Sequence, residues 1–357
     1  MTVAIPTYNE APNIEELLSR VHSILDNREH EVIVVDGGST DGTRDKVREM
    51  AEDTPTVRLV ERETRRGIGS AYREAFRLAK GDVVVQMDAD FSHPPEYLPS
   101  LVESVEEGVD VAVGSRYVEG GERNDPLHRQ VFPLIGSYLY RVLLRSPVRD
   151  VTSGFKAYSR EAAKHISSAR LPDGFHFQAA SLFECLEEGY DVDEVPFTFE
   201  PRKGGEPKYS FKDLLDNVSL LLKLTARKHR RMLKFGTVGG LGVAVNTAVL
   251  FSLTELGGMY YLFSAVVAGE TAMLFNFSLH DLWTFGERGG KGVRNRLSRL
   301  YRYHLFSLAG GALVIGLLWF FTEVLGVYYL ASNLIAIAVV FLWNYGSNSL
   351  WTWPVED

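Results

Sequence analysis

"VVVQMDADFSHPPEYLPSLVESVEEG", Val83 to Gly108, holds the decision about the fold. It opens as an unbroken apolar run, ends that run with two carboxylates one residue apart, Asp88 and Asp90, and passes through Ser92, His93 and two prolines into a stretch with helical spacing. A continuous β-branched run fits a strand buried on both faces, and a strand leading into a helix is the repeating unit of a parallel sheet.

The same alternation runs outward on both sides. Strand patterns occur at Val3–Ile5, Val32–Val35, Val57–Val60, Val83–Met87 and Val111–Val113. Between them, "NIEELLSRVHSIL" brings Ile14, Leu17, Leu18, Val21 and Leu25 to one helix face, and "GIGSAYREAFRLAKG" behaves likewise. This predicts an α/β fold, a mainly parallel sheet with helices on both faces, whose ligands bind beyond the carboxyl ends of the strands. The polar clusters fall at those ends: "PTYNE" after the first strand, "DGGSTDGT" after the second, "DADFSHPP" after the fourth and "GSRY" after the fifth. Four such endings on one rim predict a cleft.

Asp88 and Asp90 are placed to aim oxygen ligands at one hard cation. Oxygen-only ligation suits Mg²⁺ or Mn²⁺, which complete their shells with water and substrate phosphates. The bland alternative is a pair of solvated strand-end carboxylates, and the neighbouring endings weigh against it. His93 would be a nitrogen donor in an oxygen site, so it reads as structural. Cys185, the single cysteine, sits in "SLFECLEEG" on the apolar face of a helix and excludes an intrachain disulfide framework.

The 357 residues carry a formal net charge of −8, against the basic excess of a nucleic-acid binder. That average hides two halves. Up to about Arg231 charged and apolar residues mix as in a water-soluble domain, whereas from Lys234 onward long apolar runs appear. Met1-Thr2-Val3-Ala4-Ile5 runs straight into a strand pattern without a basic region or cleavage site, so the first half is expected in the cytosol.

Four segments of membrane length follow, at about 234–256, 260–284, 304–325 and 328–351. They hold an internal repeat: "TELGGMYYL" (254–262) recurs as "TEVLGVYYL" (322–330), Asn276 as Asn344, and "LWT" (282–284) as "LWT" (350–352), at a constant offset of 68. The loop between the second and third segments is rich in arginine from Arg288 to Arg302, while the turns near Gly257 and Gly326 have no Lys or Arg, which places the basic side in the cytosol. Asn246, Glu270, Asn276, Asn333 and Asn344 fall inside apolar spans; they pair helices through hydrogen bonds or line a path for a lipid head group. Ahead of the spans, Phe211, Leu214, Leu215, Val218, Leu221 and Leu222 share one helix face that runs into a basic cluster at Arg227 to Lys234. That pattern suits either a helix lying on an anionic membrane face or one packed on the domain.

"IPTYNE" (5–10), "VVDGGSTDGT" (34–43), "DADFSHPPE" (88–96), "GSRYVEGG" (114–121), "DVTSGF" (150–155) and "VPFTFEPRKGGEPK" (195–208) together resemble the motifs of family 2 glycosyltransferases. More narrowly they are similar to dolichyl- or polyprenyl-phosphate mannose synthases over residues 1–230. The four spans resemble the small membrane domain of O-antigen glucosylation systems. The resemblance implies a GT-A-type nucleotide-sugar-binding domain over 1–208, amphipathic interface helices over 209–232 and a four-helix transmembrane domain over 233–357.

Carried over to this chain, it implies nucleotide-sugar contacts at Pro6, Tyr8, Glu10, Val35, Gly37, Asp88, Ala89, Asp90, Arg116, Arg202 and Lys208, a metal held by Asp88, Asp90 and Ser92, and catalytic roles for Asp90, Arg116 and Arg129. Departures are Gly37 where many members have a second Asp, Ser92 where a Gln often stands, and Pro207 where a Ser is frequent. The implied reaction is inverting, Mg²⁺- or Mn²⁺-dependent transfer of a hexose to dolichyl or polyprenyl phosphate. Mannose from GDP-mannose is the first donor and a UDP-linked glucose or N-acetylglucosamine the alternative. Partners are the nucleotide sugar, the lipid phosphate and the bilayer, with no nucleic acid and a homo-oligomer left open. A processive synthase normally carries a QxxRW motif, which this sequence lacks, and a flippase with a sensor domain is the reading from a different class.

Overall fold

The computed structural model describes residues 1–124, 127–201, 211–288 and 292–354, with the side chains of 127–130, 132 and 211–214 outside that description. The chain divides into two compact units, Met1–Thr225 and Ala226–Asp357.

The first unit runs β1 (Thr2–Thr7), α1 (Ile14–Leu25), β2 (Glu31–Asp36), α2 (Thr43–Asp53), β3 (Val57–Glu61), α3 (Ile68–Leu78), β4 (Val83–Gln86), α4 (Leu98–Glu106) and β5 (Val111–Ser115). It continues with β6 (Glu122–Arg123), α5 (Leu127–Leu144), β7 (Lys156–Ser159), α6 (Arg160–Ser168), α7 (Phe177–Glu188), β8 (Val192–Pro196), β9 (Thr198–Phe199) and α8 (Phe211–Lys228). Seven strands form one sheet in the order β3-β2-β1-β4-β7-β5-β8. All its pairings are parallel except those of β7, which runs against both β4 and β5. β6 and β9 form a separate ribbon.

Side-chain alternation along the strands makes two cores. Ala4, Ile33, Val35, Val84 and Tyr158 point to one face, where Tyr72, Phe76, Leu182 and Cys185 cover them. Val3, Ile5, Val32, Val34 and Val85 point to the other, against Leu17, Val21, Leu101 and Val102. Burial of both faces explains why the central strands read as apolar runs rather than as alternation.

Two helices of this unit keep an apolar face uncovered. α5 exposes Val131, Leu134, Ile135, Tyr138 and Val142 while Tyr140 and Leu144 enter the core. α8 exposes Leu215, Val218 and Leu222 while burying Leu221 and Leu224.

The second unit contains α9 (Arg230–Phe251), α10 (Tyr261–Leu279), α11 (Val293–Trp319) and α12 (Tyr329–Ser347). Each continues into a π-helical turn, at Ser252–Leu256, His280–Thr284, Phe320–Val324 and Asn348–Thr352. These turns recur at the same offset as the sequence repeat, so the duplication extends to backbone irregularity. With those turns included the four helices are long and apolar enough to cross a membrane. Large apolar side chains such as Val243, Phe263, Val266, Ile315 and Leu334 point outward, which suits lipid and not water. The third helix starts well before its apolar stretch because the arginine-rich lead-in is also helical. Arg296 and Arg299 reach Asp281 at 3.2 and 2.8 Å, and the Trp353 indole donates to the same carboxylate at 3.1 Å.

Candidate functional site

The carboxyl ends of β1, β2 and β4 share a rim because those strands are parallel neighbours. The loops after β1 and β2 are laced together there. Asp36, the last residue of β2, is fully buried and accepts hydrogen bonds from the Thr7 hydroxyl (3.0 Å), the amides of Gly38 and Ser39 (3.0 and 2.8 Å), the Ser39 hydroxyl (2.5 Å) and Arg44 Nε (2.6 Å). Burial pushes its carboxyl up, and these bonds outweigh burial and hold it below the usual carboxylate range. The Asn9 amide donates to Ser39 Oγ at 2.8 Å and its side chain accepts from the Thr40 amide at 3.0 Å. The Glu10 and Ala11 amides reach Thr43 and Asp41 at 2.9 and 3.0 Å.

After β4, each carboxylate accepts hydrogen bonds from neighbouring side chains or amides. Asp88 Oδ1 accepts from the Tyr72 hydroxyl at 2.8 Å, and burial, reinforced by Asp88, raises that phenol well above its ordinary pKa. Asp90 Oδ1 accepts from the Ser92 amide and hydroxyl at 3.1 and 2.6 Å. His93, buried and stacked on Phe155, accepts from the Asp88 amide at 3.1 Å, so its imidazole shapes the turn.

One cavity opens on this rim. Its lining includes Pro6, Tyr8, Glu10, Val35, Gly37, Asp88, Ala89 and Asp90, all read from the sequence, and also Arg62, Arg65, Arg66, Gly67, Ile68 and Phe175, which were not. The arginines come from the loop after β3, a further parallel strand ending on the same rim. The signal is present as "RETRRG" at 62–67, but its end merges with the helix pattern that follows. Arg65 lies over the Tyr8 ring at 4.7 Å, while Arg62 is anchored by Glu74 at 2.5 Å and by Ser70. Two carboxylates facing several guanidinium groups make a site with room for a cation and for a polyanion. The donor set, carboxylate oxygens with orientation fixed by Ser92 and Tyr72, fits a hard divalent ion.

Ser92 and Arg116 are not among the lining residues. The Ser92 hydroxyl is buried and donates to Asp90 Oδ1. Arg116 forms a forked pair with Asp150 at 2.6 and 2.7 Å and also bonds Thr152 at 3.1 Å. Phe199 and Tyr117 lie beside its guanidinium. The Arg129 side chain and residues Arg202, Pro207 and Lys208 lie outside the described residues.

Comparison with known proteins agrees with the fold. The model of glycosyl transferase family 2 matches residues 2–167, and that of the GtrA/DPMS transmembrane domain matches residues 234–353. The dolichol-phosphate mannosyltransferase of Pyrococcus furiosus is 36% identical over 362 residues, 99% of each chain. The polyprenol monophosphomannose synthase of Mycolicibacterium smegmatis is 40% identical over 214 residues, 58% of this chain and 80% of that one. Among solved structures, glucosyl-3-phosphoglycerate synthase from Mycobacterium tuberculosis in complex with Mn²⁺, UDP and phosphoglyceric acid superposes with a TM-score of 0.50 at 22% identity, covering 64% of this chain and 77% of that one. That likeness is one of fold.

Proposed function

The chain belongs to the family 2 glycosyltransferases that carry a GtrA/DPMS transmembrane domain, and from that premise we propose that it transfers mannose from GDP-mannose to the phosphate of dolichol or a related polyprenol. The observation that carries the reading is the meeting of Asp88 and Asp90 with Arg62, Arg65 and Arg66 around one cavity. The name of the full-length Pyrococcus relative supports the lipid acceptor and the sugar.

In this reading the guanine nucleotide lies along Pro6, Tyr8, Glu10, Val35 and Gly37, with its diphosphate between the arginines and the carboxylates. Asp88 and Asp90 hold Mg²⁺ or Mn²⁺, which when bound supplies positive charge to the leaving diphosphate. Arg65 and Arg66 stabilise the same developing charge as fixed groups of the protein. The acceptor is a phosphate monoester with its second pKa near ~6, already a dianion for the most part in the cytosol, so attack on the anomeric carbon requires no general base. Displacement in line with the departing diphosphate inverts the sugar. Arg116, held by Asp150, and Arg129, Arg202 and Lys208 gather the lipid phosphate. We place the basic end of the membrane helices, and with it the catalytic unit and the carboxyl terminus, in the cytosol. The bilayer surface is what covers the apolar faces of α5 and α8.

The test is incubation of membranes containing the full chain with labelled GDP-mannose, UDP-glucose or UDP-N-acetylglucosamine and one polyprenyl phosphate, followed by lipid extraction. Label is expected in lipid from GDP-mannose. Label from a UDP-sugar alone would overturn the donor, and no labelled lipid from any donor would overturn the acceptor.

A further inference from the structure

The second unit contains a cavity that the transfer chemistry does not use. It lies among the four membrane helices and measures about 290 Å³. That is close to the lower end of the ~300–1,000 Å³ typical of small-molecule sites and far above the ~30 Å³ share of one water. Its polar lining is Asn276, His280, Tyr303, Ser307, Asn344 and Asn348. The lining is built twice: Asn276 and Asn344 are equivalent in the internal repeat, and so are His280 and Asn348.

Each asparagine is pressed against a glycine of the neighbouring helix. A Cβ on Gly242 would come within 2.3 Å of the Asn276 amide, and one on Gly310 within 2.5 Å of Asn344 Oδ1, so only glycine permits either approach. Held in this way, the Asn276 amide shares a hydrogen bond with the Tyr303 hydroxyl through its nitrogen side, while Asn276 Oδ1 and Asn344 Oδ1 are buried with no hydrogen-bond partner among the described residues. An orphaned amide oxygen in a membrane interior is costly, and the same cost recurs at both halves of the repeat. Both atoms are acceptors, so what completes them must donate hydrogen bonds. A phosphodiester or fully ionised phosphate offers no such donor, whereas hydroxyl groups do. Beside the amides, Phe235 stacks on His280 at 4.3 Å and gives the cavity an apolar wall. Directly ahead of the lining residues Phe235 and Tyr303 stand Lys234 and Arg302, also equivalent in the repeat, which donate to the carbonyls of Trp283 and Trp351 at 2.9 and 2.8 Å. Two cations therefore border a pocket whose polar lining is amide, hydroxyl and imidazole.

We infer that this cavity binds an uncharged polyhydroxyl ring, and specifically the sugar of the glycosylated lipid phosphate, with the phosphate at the basic border. The identity of the ligand rests on the proposed transferase reading. The geometry that calls for a hydroxyl donor does not.

The probe is mannosyl-phosphoryl citronellol bearing a diazirine on the sugar, applied to the full chain in lipid nanodiscs, with labelled peptides mapped by mass. Labelling of α9 to α12 is expected, competed by the unlabelled compound but not by citronellyl phosphate or free mannose. Gly239 also lines the cavity and has open space beyond its Cα, so Gly239→Leu fills it. Labelling is expected to drop by about tenfold or more, the loss of one or two hydrogen bonds, at an unchanged melting temperature. If that variant melts lower, the pair Asn276→Leu and Asn344→Leu, which removes the acceptors while keeping the shape, decides the matter by the same readout. Labelling that survives the deciding variant, equal competition by citronellyl phosphate, or competition by free mannose overturns the inference. Transfer by the wild-type protein is assayed separately, so a protein that labels but makes no lipid-linked sugar counts against the transferase reading alone.

Discussion

Replacing Arg116 with alanine tests whether this arginine is first a structural or a substrate-binding group. Its side chain is 7% exposed and that of Asp150 is fully buried, and two forked bonds of 2.6 and 2.7 Å join them. Truncation leaves a buried carboxylate whose main remaining donor is the Arg116 amide at 3.0 Å. Breaking such a pair from one side costs about 3–5 kcal/mol, a large part of the ~5–15 kcal/mol that holds a domain folded. For a unit of this size each kcal/mol moves the midpoint by about 2–4 °C, so a drop of about 6–20 °C is expected. Cys185 supplies the assay. It is the only cysteine, it is fully buried in the core of the first unit, and burial pushes its thiol up to about 12, so it reacts with a thiol dye only on unfolding. The double variant Arg116→Met with Asp150→Leu removes both charges and should recover most of the lost midpoint without recovering transfer. A single variant that melts like the wild type, or a double variant no better than the single, would refute the argument.

Asp90→Ala should lower turnover by about 100-fold or more, and excess chelator should do the same reversibly, with Mn²⁺ restoring the rate; full-speed synthesis in chelator would sink the metal assignment. Lys156 is fully buried, donates to the Gln178 carbonyl at 2.6 Å, and burial lowers it to about 7 from the ordinary 10.5. The unfolded chain therefore holds the extra proton between those values, so the stability of the first unit should rise with pH from about 7 to 10.5. Lys156→Met should flatten that slope in the Cys185 melt, and an unchanged slope would assign it to other groups. Leu134 and Ile135 are 51% and 50% exposed on α5; changing both to Asp should slow transfer to long-chain polyprenyl phosphate in vesicles by about tenfold while leaving a short soluble acceptor unaffected. Equal loss on both acceptors would mean the face is not a membrane contact.

What the sequence disclosed and what it hid divide along physical lines. Long-range regularities were legible: apolar runs marked the parallel strands, and a fixed offset marked the duplicated hairpins. The cavity residues at the ends of β1, β2 and β4 were legible because each follows a run that had to stop. Arg62, Arg65 and Arg66 were not, since β3 is an edge strand with a half-exposed pattern and its ending draws less notice. β7 was missed because it is four residues long and carries a lysine into the core, a placement that no hydrophobic pattern predicts. The partner of Arg116 was equally hidden, since the Arg116–Asp150 contact joins positions far apart in the chain and sequence spacing says nothing about which charges meet.

That short strand nevertheless decides how the rim is divided. Had the strand beside β4 been parallel, only its exit would have reached the rim. Because β7 runs the other way, its entry does so, and the segment from Asp150 to Phe155 arrives between the exits of β4 and β5. Two sheet spacings, about 10 Å, therefore separate the origin of the Asp88–Asp90 turn from that of Arg116, and the intervening segment supplies the carboxylate that holds the arginine. A donor diphosphate gathered over β1, β2 and β4 and a second anion approaching near β5 would then be presented from adjacent stations rather than compete for the same cations. On the proposed reading, the antiparallel strand is what gives two anions separate places on one edge of a protein with a net negative charge.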